Sequence, residues 1–188
     1  MKLVLASESP TRRRALDILG LTYEISSCQV DEKAIRHHDP RELVRLLATA
    51  KAQSSLDPVK GTIVVAGDAV VSREEKIFEK PANLLQAEEF LREFSGSTVE
   101  YVTAVAVANS ITGKLSTDVQ SSKISFRNLF PGEIADYISR YNVLAYAGAF
   151  ESEGVVRFST CVSGPCNYMT GFSMDALVLL LRQEGIGV

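Results

Sequence analysis

The chain lacks the paired cysteines of a disulfide framework or a zinc cage. Its three cysteines, Cys28, Cys161 and Cys166, are odd in number and form no C-x-x-C pair, a pattern that fits a reducing cytoplasm. A basic surplus is also missing. There are 20 Lys and Arg residues against 23 Asp and Glu, for a net charge of −3. That balance excludes a general coat for nucleic-acid polymers, although a local basic pocket for one phosphorylated small molecule stays open. Long hydrophobic runs are absent too. The apolar run within residues 1–6 gives way to Glu8 and three arginines, too short for a signal peptide, and residues 174–181 are interrupted by Asp175. No membrane association is expected. Neither G-x-x-x-x-G-K-[ST] nor G-x-G-x-x-G occurs, and the adjacent His37 and His38 do not have metal-ligand spacing. They are expected on a solvated loop, and Cys161 and Cys166 are expected to be small core or edge residues.

What is present is an ordinary globular composition over 188 residues, 46% hydrophobic and 23% charged. A chain of this length can bury a sizeable core without a staple. No internal repeat or linker stands out, and residues 57–61 are too short a joint to separate folding units, so one domain over residues 1–188 is expected. Residues 2–6 read as a short buried strand. Ser9-Pro10 opens a helix as N-cap and first helical residue, with Ala15, Leu16, Ile18 and Leu19 as its apolar side and Gly20 at its end. Asp39-Pro40-Arg41-Glu42 starts a second helix, in which Leu43, Leu46, Leu47 and Ala50 recur at helical spacing and Lys51 borders the stripe.

Residues 62–72 read as strand, kink and strand around Gly67-Asp68-Ala69. Leu84, Ala87, Leu91 and Phe94 mark a third helix, and residues 98–108 a long strand that returns through Ile124 and Phe126. Ile134, Tyr137, Ile138 and Tyr141 mark a helix behind Pro131, residues 155–162 a further strand, and Ser173 caps a last helix. Interleaved strands and helices with an antiparallel hairpin predict an α/β domain with a mixed central sheet flanked by helices.

Four groups of residues are candidates for chemistry. Ser7-Glu8-Ser9-Pro10-Thr11-Arg12-Arg13-Arg14 lies at a strand-to-helix junction. A helix start offers unpaired N–H groups and partial positive charge, so Arg12 and Arg13 there oppose the macrodipole at ~0.3–1 kcal/mol each when exposed. Hydroxyls, free N–H groups and guanidinium forks suit a polyphosphate, while a solvated basic face is the competing reading. Asp68 is a carboxylate inside an apolar strand run, where burial without a partner costs several kcal/mol. A metal, a lysine or a catalytic water must compensate it, unless it sits in a loop between two strands. Lys51 and Lys80 can neutralise phosphate, though either alone also reads as a surface lysine. Glu32 and Glu153 can join Asp68 as hard oxygen ligands for Mg²⁺ or Mn²⁺; exposed loop glutamates are the alternative.

Taken together, LASESPTRR at the start, VDE at Val30-Asp31-Glu32, KA at Lys51-Ala52, AGDAVV around Asp68, EKP ending at Pro81, FSG from Phe94, EIADYI from Glu133 and AGAFESEG from Ala147 follow one another in the order found in the Maf family of nucleotide pyrophosphatases. The chain resembles that family over nearly its whole length. The resemblance implies a two-lobed α/β fold with a cleft, similar to the inosine triphosphate pyrophosphatases. It also implies hydrolysis of a nucleoside triphosphate to its monophosphate and pyrophosphate with a divalent metal cation. By the same resemblance Asp68 is the proton acceptor, and Ser7, Ser9, Arg12, Arg13, Glu32, Lys51 and Lys80 handle phosphate and metal. Thr11, Ala69 and Glu153 match the positions that tune base preference. Glu153 and its FESEG loop point toward the 7-methyl-GTP branch, since a carboxylate can accept from a guanine edge; Thr11, Ala69 and the Gly171-Phe172-Ser173 segment depart from the family's usual residues. A homodimer is plausible on the same ground, and the family's septum-formation label leaves a non-hydrolysing, nucleotide-binding regulator of cell division as the alternative.

Overall fold

The computed structural model describes residues 1–57, 59, 61–165 and 167–188, the side chain of Tyr168 excepted. Cys166 therefore lies outside the described residues, while Cys28 is half-buried and Cys161 is exposed. Among the described residues seven strands form one mixed sheet flanked by helices. In chain order they are β1 (Lys2–Leu5), β2 (Glu24–Ile25), β3 (Thr62–Arg73), β4 (Lys76–Phe78), β5 (Thr98–Asn109), β6 (Leu115–Phe126) and β7 (Ser159–Ser163). Their spatial order is β2-β1-β3-β5-β6-β7, with β4 paired to β3. Strand β1 is parallel to β2 and β3, whereas β4 runs antiparallel to β3 and β7 antiparallel to β6. The helices are α1 (Pro10–Ile18), α2 (Pro40–Ser54), α3 (Leu84–Phe94), α4 (Pro131–Arg140), α5 (Ser152–Val155), α6 (Asn167–Thr170) and α7 (Met174–Gln183). No helix among the described residues is long and apolar enough to cross a membrane.

The chain divides into two compact units. The first comprises Met1–Asp68, Thr103–Gln120 and Thr170–Val188, and the second Ala69–Val102 and Ser121–Met169. In the first, Ala15 and Leu16 of α1 and Ala176, Leu177, Leu180 and Leu181 of α7 bury a core with Leu3, Leu5, Ile63, Val65, Val105 and Val107 of the strands. Strand residues alternate between faces, so Val64, Ala66 and Asp68 of β3 point the other way. There Leu43, Val44, Leu47, Ala48 and Lys51 make the buried side of α2. The second unit holds an aromatic core, in which Phe78, Phe94, Phe126, Tyr101, Phe150, Tyr137 and Phe158 pack with α3 and α4.

Local signals explain most helix starts. Pro10 and Pro40 occupy first-turn positions where a missing N–H costs nothing. The Asp39 carboxylate accepts from Arg41 N at 2.9 Å, and Ser173 Oγ accepts from Ala176 N at 3.4 Å.

Two expectations are corrected. The kink at Gly67-Asp68 is absent, because β3 runs unbroken from Thr62 to Arg73 and the Asp68 carboxylate finds its partner without leaving the strand. Residues 155–162 do not form one strand. The Glu151 side chain accepts from Gly154 N at 2.7 Å and nucleates α5, so the strand β7 begins only at Ser159.

Candidate active site

The first unit gathers eight of the sequence-predicted residues: Ser7, Ser9, Thr11, Arg12, Arg13, Glu32, Lys51 and Asp68. Strand β1 ends at Leu5, Ala6 N still donates to Val65 O of β3, and the chain then turns through Ser7 and Ser9 into α1. This junction lies at the carboxyl end of β1 and of its parallel neighbour β2, beside the middle of β3; the carboxyl ends of strands are the common ligand position in open α/β sheets.

Ser9 takes the N-cap position without using its side chain as the cap. Its hydroxyl instead shares a 2.8 Å hydrogen bond with Thr11 Oγ1, so the first-turn N–H groups keep no side-chain cap of their own. Buried Ser7 Oγ accepts from Ser9 N and from Arg12 Nη1, each at 3.2 Å. Arg12 Nε donates to Gly171 O at 3.4 Å. Arg13 Nε is buried and has no hydrogen-bond partner among the described residues. An N–H donor on a cation is costly to bury unpaired, so this position suits an anion that supplies the missing acceptor.

Lys51 stands in the last turn of α2, where a cation complements the helix dipole. It is 6% exposed, and Asp68 is 8% exposed. Its Nζ lies 2.5 Å from Asp68 Oδ1 and 3.0 Å from Glu32 Oε1. One ammonium thus bridges two carboxylates and neutralises the buried Asp68 charge through Oδ1. Glu32 comes from the loop after β2, and its own side chain is half-exposed. This arrangement already places a cation between two carboxylates. It fits Mg²⁺, which takes one or two protein carboxylates and completes its shell with water and substrate phosphates. Among the described residues no three His, Cys, Asp or Glu side chains group into a protein-only metal cage.

Consecutive positions of β3 serve the two clusters. Asp68 faces Lys51, and a Cβ at Gly67 would lie 3.1 Å from Arg12 Nε. The Arg12 side chain and the buried carboxylate thus meet neighbouring positions of β3, on its opposite faces.

Lys80, Ala69 and Glu153 belong to the second unit. Lys80 is exposed just after β4, Ala69 is half-buried in β3, and Glu153 is exposed on α5. Glu151 and Glu153 both act on half-buried Tyr146, whose phenol is pushed up first by burial and then by these two charges. The adjacent histidines are stacked at 4.6 Å, and His37 Nδ1 accepts from Asp39 N at 3.1 Å, so they shape the start of α2. Sequence reasoning missed Thr170, Gly171 and Phe172. The only signal was the departure of this segment from the family pattern, which bore on base preference alone.

The family model described as Maf, Maf-like protein, matches residues 2–184. Among solved structures, the nucleoside-triphosphatase or dITP/XTP pyrophosphatase of Mycobacterium abscessus is similar at 12% identity and a TM-score of 0.41, with 98% of each chain covered. So distant a likeness carries no argument about the chemistry of this chain.

Proposed function

The chain belongs to the Maf family, and from that premise we propose that it hydrolyses a nucleoside triphosphate to the monophosphate and pyrophosphate. The observation that carries this reading is the buried Lys51 bridging Glu32 and Asp68, one strand position from the Arg12 side chain. Cleaving a phosphoanhydride demands charge neutralisation and an oriented water more than covalent chemistry. Arg12, Arg13 and the free N–H groups of α1 grip the phosphates, with Ser7 holding the Arg12 fork. Asp68 Oδ2 accepts the proton of the attacking water. The water oxygen bonds to the α-phosphorus, the bond to the bridging oxygen breaks, and pyrophosphate leaves with that electron pair. Lys51 holds the Asp68 carboxylate in place between turnovers, and Lys80 is assigned to phosphate handling by the family resemblance. Glu32 and Asp68 would hold a divalent cation, which supplies charge neutralisation at the phosphates when bound.

Base preference is assigned to Thr11, Ala69 and Glu153, with a purine, 7-methyl-GTP among the candidates, favoured by the carboxylate of Glu153. Pyrophosphate release with Mg²⁺ or Mn²⁺ across a nucleotide panel, run beside Glu153→Gln, tests both levels. Turnover that shifts away from guanine substrates in Glu153→Gln supports the reading. Unchanged preference in the variant removes the base assignment, and binding without turnover on every substrate favours the regulator instead.

A further inference from the structure

The Arg12 side chain is held from several directions at the start of α1, and two glycines make room for it. A Cβ at Gly67 would meet Ala104 O and the Phe172 ring at 2.8 Å and Arg12 Nε at 3.1 Å. One at Gly171 would meet Thr11 Oγ1 at 3.0 Å and Arg12 Cγ at 3.1 Å. Gly171 also presents its carbonyl to Arg12 Nε at 3.4 Å, with φ at +73°, a conformation glycine adopts freely. The segment carrying it is pinned: Phe172 is fully buried in the core beneath α7, and Thr170 Oγ1 donates to Phe172 O at 2.7 Å. Arg12 therefore threads a slot walled by β3 on one side and by residues 170–172 on the other. The slot leaves Nη1 on Ser7, at the mouth of the helix start.

We infer that Gly67 and Gly171 are positioning residues for Arg12, and that the segment before α7 is part of the phosphate-binding apparatus. The inference rests on the phosphate-gripping role proposed above. A guanidinium held by its stem at both sides keeps its fork aimed at the anion, and little rotamer freedom is lost on binding. A methyl group at position 171 would push the stem aside by a few tenths of an ångström and misalign the fork.

The test uses inorganic pyrophosphate as the probe and calorimetry as the readout, so it does not depend on turnover. Gly171→Ala is expected to weaken pyrophosphate binding about tenfold, the scale of one misaligned charge-assisted contact. Gly185→Ala is the control for backbone strain, because Gly185 has φ +78° with nothing within 4 Å of an added Cβ. It should bind like the wild type. In an Arg12→Ala background the added methyl should have no further effect, since its route to the anion is gone. The Nε–H resonance of Arg12, identified by its loss in Arg12→Ala, should move in Gly171→Ala and stay in Gly185→Ala. Thr170→Val loosens the same segment without changing its shape and should weaken binding in the same direction, which covers a failure of Gly171→Ala to fold. Equal binding by wild type, Gly171→Ala and Thr170→Val overturns the inference alone, as does a full additional loss in the Arg12→Ala background. No pyrophosphate binding by the wild type overturns the phosphate reading, and the inference with it.

Discussion

In the first unit a few ionised groups turn inward, although the Lys2–Glu24 and Arg45–Glu42 pairs stay near water. Lys51 and Asp68 are buried side by side, and Arg12 runs through a slot between backbone segments. The second unit keeps its guanidinium–carboxylate pairs near water. Arg127 makes a two-pronged pair with Glu133 at 2.6 and 2.9 Å, and Asp136 holds Arg140 at 2.6 Å and Arg157 at 2.8 Å. Its interior is filled by rings, among them Phe78 against Phe94 with centroids 4.8 Å apart and Tyr137 against Phe158 at 5.0 Å. Buried charge needs a matched partner and contributes little net stability, whereas ring packing contributes stability and does little chemistry. The contrast sets the buried ion pair and the enclosed Arg12 in the first unit and an aromatic core in the second, the unit that carries Lys80 and Glu153.

The sharpest way to break this contrast is to remove one member of the buried pair. Lys51→Met leaves the buried Asp68 carboxyl without its partner at 2.5 Å, and urea unfolding should show a loss of about 3–5 kcal/mol. A loss no larger than that of Arg127→Ala would abolish the distinction. A smaller effect belongs to a polar contact inside the aromatic core. Tyr137 Oη donates to Ala149 O at 3.0 Å and accepts from Glu151 N at 2.8 Å. Tyr137→Phe should cost about 1–3 kcal/mol by the same measurement, because Glu151 N loses its acceptor. Burial pushes the Tyr137 phenol up from 10.0, so its contribution is present below that pH and fades as pH rises beyond it.

The smallest effect lies at the surface. Arg127, followed by the Phe130 N–H, holds the Glu133 carboxyl down from 4.5 to about 2. A depressed carboxylate stabilises the fold above its unfolded value and loses that contribution as pH falls from about 4.5 toward 2. The difference in melting temperature between wild type and Glu133→Gln should therefore shrink across that window. It should also be small and salt-sensitive, since the pair is solvent-screened. A difference that stays constant from neutral pH down through that window would contradict the assignment.

Much of the framework was legible because its signals are local. Pro10, Pro40 and Pro131 each stand in a first helical turn, and Asp39 and Ser173 cap N–H groups two or three residues away. The candidate site was legible in residue type and less so in arrangement. Asp68 asked for a partner, but nothing local says that Lys51, 17 residues earlier at the rim of a helical stripe, swings inward to meet it. The unbroken course of β3 follows from that long-range pair, which is why the strand looked interrupted at Gly67-Asp68. The slot around Arg12 joins residues 159 apart in sequence, a proximity that no periodicity encodes. Residues 155–162 misled for the opposite reason: a single side-chain cap at Glu151 outweighed the β-branched run that follows.

The central claim is that the Asp68 carboxylate, held by Lys51, takes the proton of the attacking water. Pyrophosphate release by Asp68→Asn, measured at saturating nucleotide with Mg²⁺ beside a thermal melt, tests it most directly. Turnover lower by about 10²–10⁴-fold, from a variant that melts cooperatively, is the predicted result. Wild-type turnover from that folded variant would contradict it.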